Sequence, residues 1–169
     1  MRQDFPKLAQ EFVANSFTIS VIRNMAPRGT LKHIKEFLKK IDFSEVETKE
    51  PSEFSQTLDD LTIKFLNALP ENARKWGVAR KCLNLFFRDS LYNFYLREAF
   101  DLAKFEAELE IPLDSKVGHE LKKEDNTLPP WDKVKSLTPE LSAKFQSAAL
   151  QVAEREKTHR VHLDVVYWR

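Results

Sequence analysis

Residues 78–100 constrain the fold more than any other stretch of the chain. Val78, Cys82, Leu85, Phe86, Leu91, Phe94 and Tyr95 spread apolar side chains around much of one helical circumference, and such a helix lies in the middle of a domain. Other helices must therefore wrap around it. A polar stripe interrupts the circumference, because Lys81, Asn84 and Arg88 stand at i, i+3 and i+7 and share one side. That side is the expected cleft.

Gly77 stands directly before this helix. The leading backbone N–H groups of a helix lack intrahelical partners and lie at the positive end of its dipole. Gly77, Val78 and Ala79 thus form a candidate anion site, and phosphate is the usual anion. One turn further on comes Lys81. Downstream, Leu113-Asp114-Ser115 reads as a helix start with Asp114 at the N-cap, a position that keeps its carboxylate ionised and fixes its direction. A positioned amine and a fixed carboxylate beside a phosphate site form a catalytic constellation.

Residues 77–84, Gly-Val-Ala-Arg-Lys-Cys-Leu-Asn, resemble the second half of the helix-hairpin-helix of base-excision DNA glycosylases, roughly Pro-Gly-Val-Gly-Arg-Lys-Thr-Ala-Asn in the endonuclease III branch. Leu113-Asp114-Ser115-Lys116-Val117 resembles that family's Val-Asp-Thr-His-Val. Lysine precedes aspartate here as it does there, and Asp114 follows Lys81 by 33 positions, a separation closer to the archaeal 8-oxoguanine glycosylase branch. The resemblance covers the middle third of the chain well and the N-terminal third loosely. Trp76 replaces the hairpin proline and Ala79 the second glycine; no Cys cluster follows Asp114, so the iron–sulfur loop of some relatives is absent.

The resemblance implies an all-α fold with two small helical lobes around a cleft. The expected organisation is a single helical domain over residues 1–169, with the hairpin at about 65–90 and the aspartate segment at 111–123. It also implies a reaction. A target nucleotide leaves the stack at a cost of a few kcal/mol, Asp114 stabilises the charge that develops on the sugar, and Lys81 attacks C1′ with an amine made less basic by the helix end and by burial. A Schiff base would then permit β-elimination. The implied DNA contacts are Trp76, Gly77, Val78, Ala79 and Arg80, with the backbone N–H groups of Gly77, Val78 and Ala79 on a phosphate. Trp76 could instead anchor the core. Asn24 and Arg28, in a turn between the first two helices, occupy the place of side chains that fill the gap left by the flipped base. The implied partner is double-stranded DNA carrying a damaged or modified base, an oxidised purine by the archaeal lean, with other modified bases open. No cofactor or metal is implied, and a monomer is expected.

Composition bounds this reading without deciding it. The formal net charge of +1 is not the strongly basic balance of a typical nucleic-acid binder, so the cations would have to be concentrated at the cleft. Only three Gly argue for helices and few tight turns. Cys82 is the single cysteine; it excludes an internal disulfide, fits a reducing cytosol and, on the apolar side of its helix, reads as packing. Of the histidines, only His159 and His162 approach a ligand spacing, which is weak evidence for a metal. With no apolar run long enough to span a membrane and no signal-peptide core in the first ten residues, the expected location is the cytoplasm, on the nucleoid in a prokaryote. Two other functions stay open: a non-catalytic module that keeps the hairpin for phosphate contact, and a helical protein-interaction domain.

The remaining elements follow from periodicity and punctuation. Helices are expected over about 6–15, with Phe5, Leu8, Phe12 and Val13 on one face, over 30–41, and over 53–69. Residues 17–22 read as a buried helix, 42–52 as a loop and 102–110 as a short helix. Gly118 suits close approach of another backbone, Thr138-Pro139 starts a helix running to about Glu156, and residues 159–169 are either a last helix or an extended tail that docks its apolar side chains.

Overall fold

The computed structural model describes residues 4–169; the first three residues, part of the stretch read as lacking a signal-peptide core, lie outside it. Among the described residues there are helices and 3-10 turns and no strand, so the chain is all-α. The described residues form nine α-helices in order: α1 (Phe5–Ser16), α2 (Thr30–Leu38), α3 (Phe43–Glu47), α4 (Phe54–Ala68), α5 (Trp76–Tyr92), α6 (Phe94–Ala99), α7 (Ser115–Glu124), α8 (Pro139–Arg155) and α9 (Leu163–Tyr167). No helix among these residues is long and apolar enough to cross a membrane.

Helix α5 is the expected central element. It packs on α1, α2, α4, α6, α8 and the 3-10 turn Val134–Ser136, and buries Val78, Cys82, Leu83, Phe86, Phe87 and Leu91. Around it the phenylalanines interlock: Phe43 lies against Phe86, Phe87 and Phe100, and Phe54 against Phe87 and Phe105, with centroids 5.2–5.9 Å apart. Edge and offset contacts of this kind add to the area that each ring buries.

Helix α5 is shorter than its apolar pattern predicts. Asn93 ends it by adopting extended backbone and accepting the N–H of Leu96 as the cap of α6, the competition with helical backbone that asparagine favours. Phe94 and Tyr95 consequently face outward, Phe94 at 70% exposure. Helix α1 corrects its pattern in the same way, since it turns Ala9, Gln10, Val13 and Ala14 inward and leaves Phe5, Leu8 and Phe12 exposed. Gln10 explains the choice. Its amide donates to the carbonyls of Leu38 and Ile41 at 2.9 and 2.8 Å and so satisfies the C-terminal end of α2.

Three further expectations change. Residues 17–22 are a 3-10 turn (Ile19–Ile22) with only Phe17 and Ile22 buried, and the expected helix at 102–110 is the 3-10 turn Leu102–Phe105. The expected loop at 42–52 contains α3, because Asp42 caps it by accepting the N–H groups of Ser44 and Glu45. Gly118 does meet a close neighbour, but it is the indole of Trp131, 2.2 Å from where a Cβ would stand. Thr138 caps α8 as its sequence predicts, accepting the N–H of Leu141. The chain end folds as a 3-10 turn, Arg160–His162, followed by α9, and docks only at its base. Val161 and Leu163 are buried, while Val165, Val166 and Trp168 stay exposed.

Candidate functional site

Helix α5 presents one face to a cleft of about 1080 Å³. That face is Lys81, Leu85, Arg88 and Tyr92, a helical repeat of four, three and four residues. One rim is the turn carrying Ser20, Val21, Arg23, Asn24 and Met25, with Asn24 in the left-handed region at φ +61°. The rest of the lining comes from Asp114, Ser115 and Lys116 at the start of α7, from residues 133–135, and from Asp164, Val165 and Trp168 of the chain end. Lys81 and Asp114 thus line the same cleft.

Lys81 donates to the carbonyl of Val21 at 3.0 Å and lies 4.0 Å from the sulfur of Met25. Burial pushes its amine below the usual lysine range, opposed by the negative charge of Asp114 and, behind it, by Cys82. Asp114 is half-buried and rigidly held. Its Oδ1 accepts the N–H of Val117 at 2.9 Å as the cap of α7. Just upstream, the buried amide of Gln146 on α8 both accepts from the N–H of Ile111 and donates to its carbonyl, at 3.1 and 2.8 Å. A cleft carboxylate fixed in this way needs no reorganisation to meet a developing positive charge.

The lining is basic in spite of the nearly neutral chain. Arg23, Lys81, Arg88, Lys116, Lys133 and Lys135 face two carboxylates, Asp114 and Asp164. Arg88 bonds Asp164 and Asp89, and Lys116 lies over the Trp168 ring, 4.9 Å from its centroid. Trp168 is 58% exposed, an aromatic plane at the mouth of the cleft.

Several expected site residues lie elsewhere. The N–H groups of Val78 and Ala79 both donate to the carbonyl of Lys75, at 3.1 and 3.2 Å, and Gly77 is covered by the turn Val134–Ser136, so that a Cβ would stand 2.0 Å from the Val134 carbonyl oxygen. The backbone phosphate cradle expected at Gly77, Val78 and Ala79 is therefore closed by packing. Arg80 points away from the cleft and is only 5% exposed. It grips Glu110 through two nitrogens at 2.9 and 3.0 Å, donates to Thr62 and pairs with Asp59. Half-buried Trp76 sits against this guanidinium, 5.2 Å from ring centroid to carbon, the core-anchor alternative for that residue. Asn84 donates to Glu110 at 2.9 Å, which removes it from the predicted polar stripe. Asn24 lines the cleft, whereas exposed Arg28 does not and Arg23 stands there instead.

Cys82 is buried and its thiol is pushed up to about 12 by desolvation, so it is inert packing. The residues missed in the sequence, Val21, Tyr92, Gln146, Asp164 and Trp168, belong to elements whose positions no local pattern reveals. Asp164 and Trp168 at i and i+4 gave the one available signal. No protein-family model matches the chain, and no curated protein and no solved structure matches it.

Proposed function

We propose that the protein is a DNA glycosylase of helix-hairpin-helix type with lyase activity, and that Lys81 and Asp114 carry the reaction. One observation supports this above the others: residues 33 positions apart, matched on sequence to a nucleophile and its carboxylate, line one cleft in which burial lowers the amine's basicity. An amine that gives up its proton more readily is what attack on a sugar carbon needs.

In this reading a flipped nucleotide enters between Leu85 and Trp168, and the rim cations Arg23, Lys116, Lys133 and Lys135 neutralise its flanking phosphates. Asn24, in the rim turn, faces the gap left in the duplex. Lys81 forms a bond to C1′ as the glycosidic bond breaks and the base leaves. Asp114 stabilises the positive charge on the sugar while that exchange takes place. The bound amine loses a proton, the C1′–O4′ bond of the sugar opens with O4′ taking up a proton to leave an imine at C1′, and loss of a C2′ proton then expels the 3′ phosphate by β-elimination.

Borohydride trapping on duplexes carrying one modified base or an abasic site tests the reading. A covalent adduct is expected with the wild type and none with Lys81→Gln. Asp114→Asn should slow base release by about a hundredfold. Absence of both adduct and base release across oxidised, methylated, deaminated and hypermodified bases would overturn it.

A further inference from the structure

At the far end of the cleft from Lys81, Tyr92 heads a chain of hydrogen bonds that the proposed chemistry does not use. Its hydroxyl lies 2.7 Å from Nδ1 of His162, whose Nε2 lies 2.6 Å from a carboxylate oxygen of Glu106. A carboxylate only accepts, so Nε2 carries a proton. In the neutral imidazole Nδ1 is then the acceptor, and Tyr92 must donate to it. The hydroxyl has a single hydrogen. While His162 is neutral that hydrogen is committed, and Tyr92, 47% exposed in the cleft lining, offers an incoming group only lone pairs.

A second proton on His162 reverses this polarity. Nδ1 becomes a donor to the phenol oxygen, and the hydroxyl hydrogen is free to turn into the cleft. Burial holds the Tyr92 hydroxyl above the usual tyrosine range, with Asp89 and Glu106 adding to the effect and Arg88 opposing it, so the group at issue is a phenol throughout. We propose that Tyr92, His162 and Glu106 form a proton-linked phosphodiester contact, in which the Tyr92 hydroxyl donates to a DNA phosphate once His162 has taken up a proton. The inference rests on the glycosylase reading of the same cleft. Tyr92 is eleven residues beyond Lys81 on one helix, about 16 Å along its axis, so it meets the strand beside the target nucleotide. The feature every strand presents there is its phosphates.

Most of the other charged groups near this chain of hydrogen bonds have partners of their own. Arg88 is tied to Asp89 and Asp164, and Arg160 is turned to the carbonyls of Leu109 and Glu108. Arg155 and Glu156, at the end of α8, pair with each other, and Arg155 also with Glu124. His159 lies 6.2 Å from His162, ring to ring. Glu106 balances the imidazolium, so the gain comes from the released donor and not from added charge.

Fluorescence anisotropy at constant ionic strength, with a labelled duplex containing an abasic-site analogue, reads the effect. Lowering the pH from about 8 to about 5.5 spans the range in which histidine changes charge, and the wild type should bind about tenfold more tightly at the acid end, the worth of one hydrogen bond to a charged group. His162→Gln, which cannot take up the proton, and Tyr92→Phe, which keeps the ring against His162, should each lose that increment. An unchanged pH dependence in folded His162→Gln or in Tyr92→Phe overturns the proposal. No binding by the wild type at any pH would instead overturn the glycosylase reading, and this inference with it.

Discussion

Arg80 and Lys81 are adjacent in sequence, both cationic, and treated in opposite ways by the fold. Arg80 is surrounded by partners that the protein supplies, with Glu110 taking two of its nitrogens and Thr62, Asp59 and the Trp76 ring completing the shell. Lys81, about 100° further round the helix, has one backbone carbonyl and a thioether within reach and feels Asp114 through its charge. A buried charge whose partners are built in holds structure. One that is desolvated and short of partners is a candidate for chemistry.

The largest effect expected from this contrast is on the Arg80 side. Arg80→Met would strip Glu110, with its side chain 13% exposed, of its two-pronged partner and leave it the Asn84 amide and the charge of Arg160, whose guanidinium is bonded to the carbonyls of Leu109 and Glu108. Removing one partner of a buried pair costs about 3–5 kcal/mol. Urea unfolding should show a loss of about 3 kcal/mol, with activity per folded molecule retained. A variant of wild-type stability that no longer bound DNA would restore Arg80 as a nucleic-acid contact and break the contrast.

Gly77 tests the boundary between the two faces. On the sequence it belongs to a phosphate cradle; in the fold it is where the turn Val134–Ser136 packs on α5. A methyl group there meets backbone, which cannot rotate away, and overpacking of this kind costs about 1–3 kcal/mol. Gly77→Ala should therefore lower the melting temperature, and weaken DNA binding only by displacing the turn that carries Lys133 and Lys135 on the cleft rim. Weakened binding at unchanged stability would favour the cradle.

These two residues also show what the sequence could and could not reveal. The Asp114 cap, the outward stripe that carries Lys81 and the central place of α5 were legible because each rests on local spacing, a cap or a helical repeat. The cap at Thr138 was legible for the same reason. The direction in which Arg80 points was not, since it depends on Glu110 and Asp59, residues distant in sequence that α5 meets only after folding. Helices α1 and α6 misled for a related reason. Their aromatic residues carry the strongest periodic signal, yet Gln10 and Asn93 overrule it by satisfying backbone groups, which a count of apolar positions does not weigh. The cleft wall made by Asp164 and Trp168 depends wholly on where the chain end returns.

The smallest effect is also the sharpest test, because its sign differs from that of Arg80→Met. The Lys81 amine is below the usual lysine range in the folded protein, so between that lowered value and the ordinary one the unfolded chain binds more protons than the native state. The contribution of Lys81 to wild-type stability then rises with pH across that window. Buried Cys82, which stays protonated in the fold after the unfolded thiol ionises, contributes in the opposite direction, so the effect is read as the difference between wild type and Lys81→Met. Below that window, the folded protein carries the full burden of a protonated, desolvated amine. Lys81→Met lifts that burden and should be more stable than the wild type by about 1 kcal/mol near neutral pH, a gain within the range for relieving a strained functional site. The advantage should shrink as the pH approaches that of an ordinary lysine, and the borohydride-trapping rate of the wild type should climb over the same range as the amine loses its proton. Paired urea titrations at neutral and alkaline pH measure the difference directly. A constant loss of stability in Lys81→Met at both would make Lys81 a structural cation like its neighbour, and the cleft would then hold no poised amine.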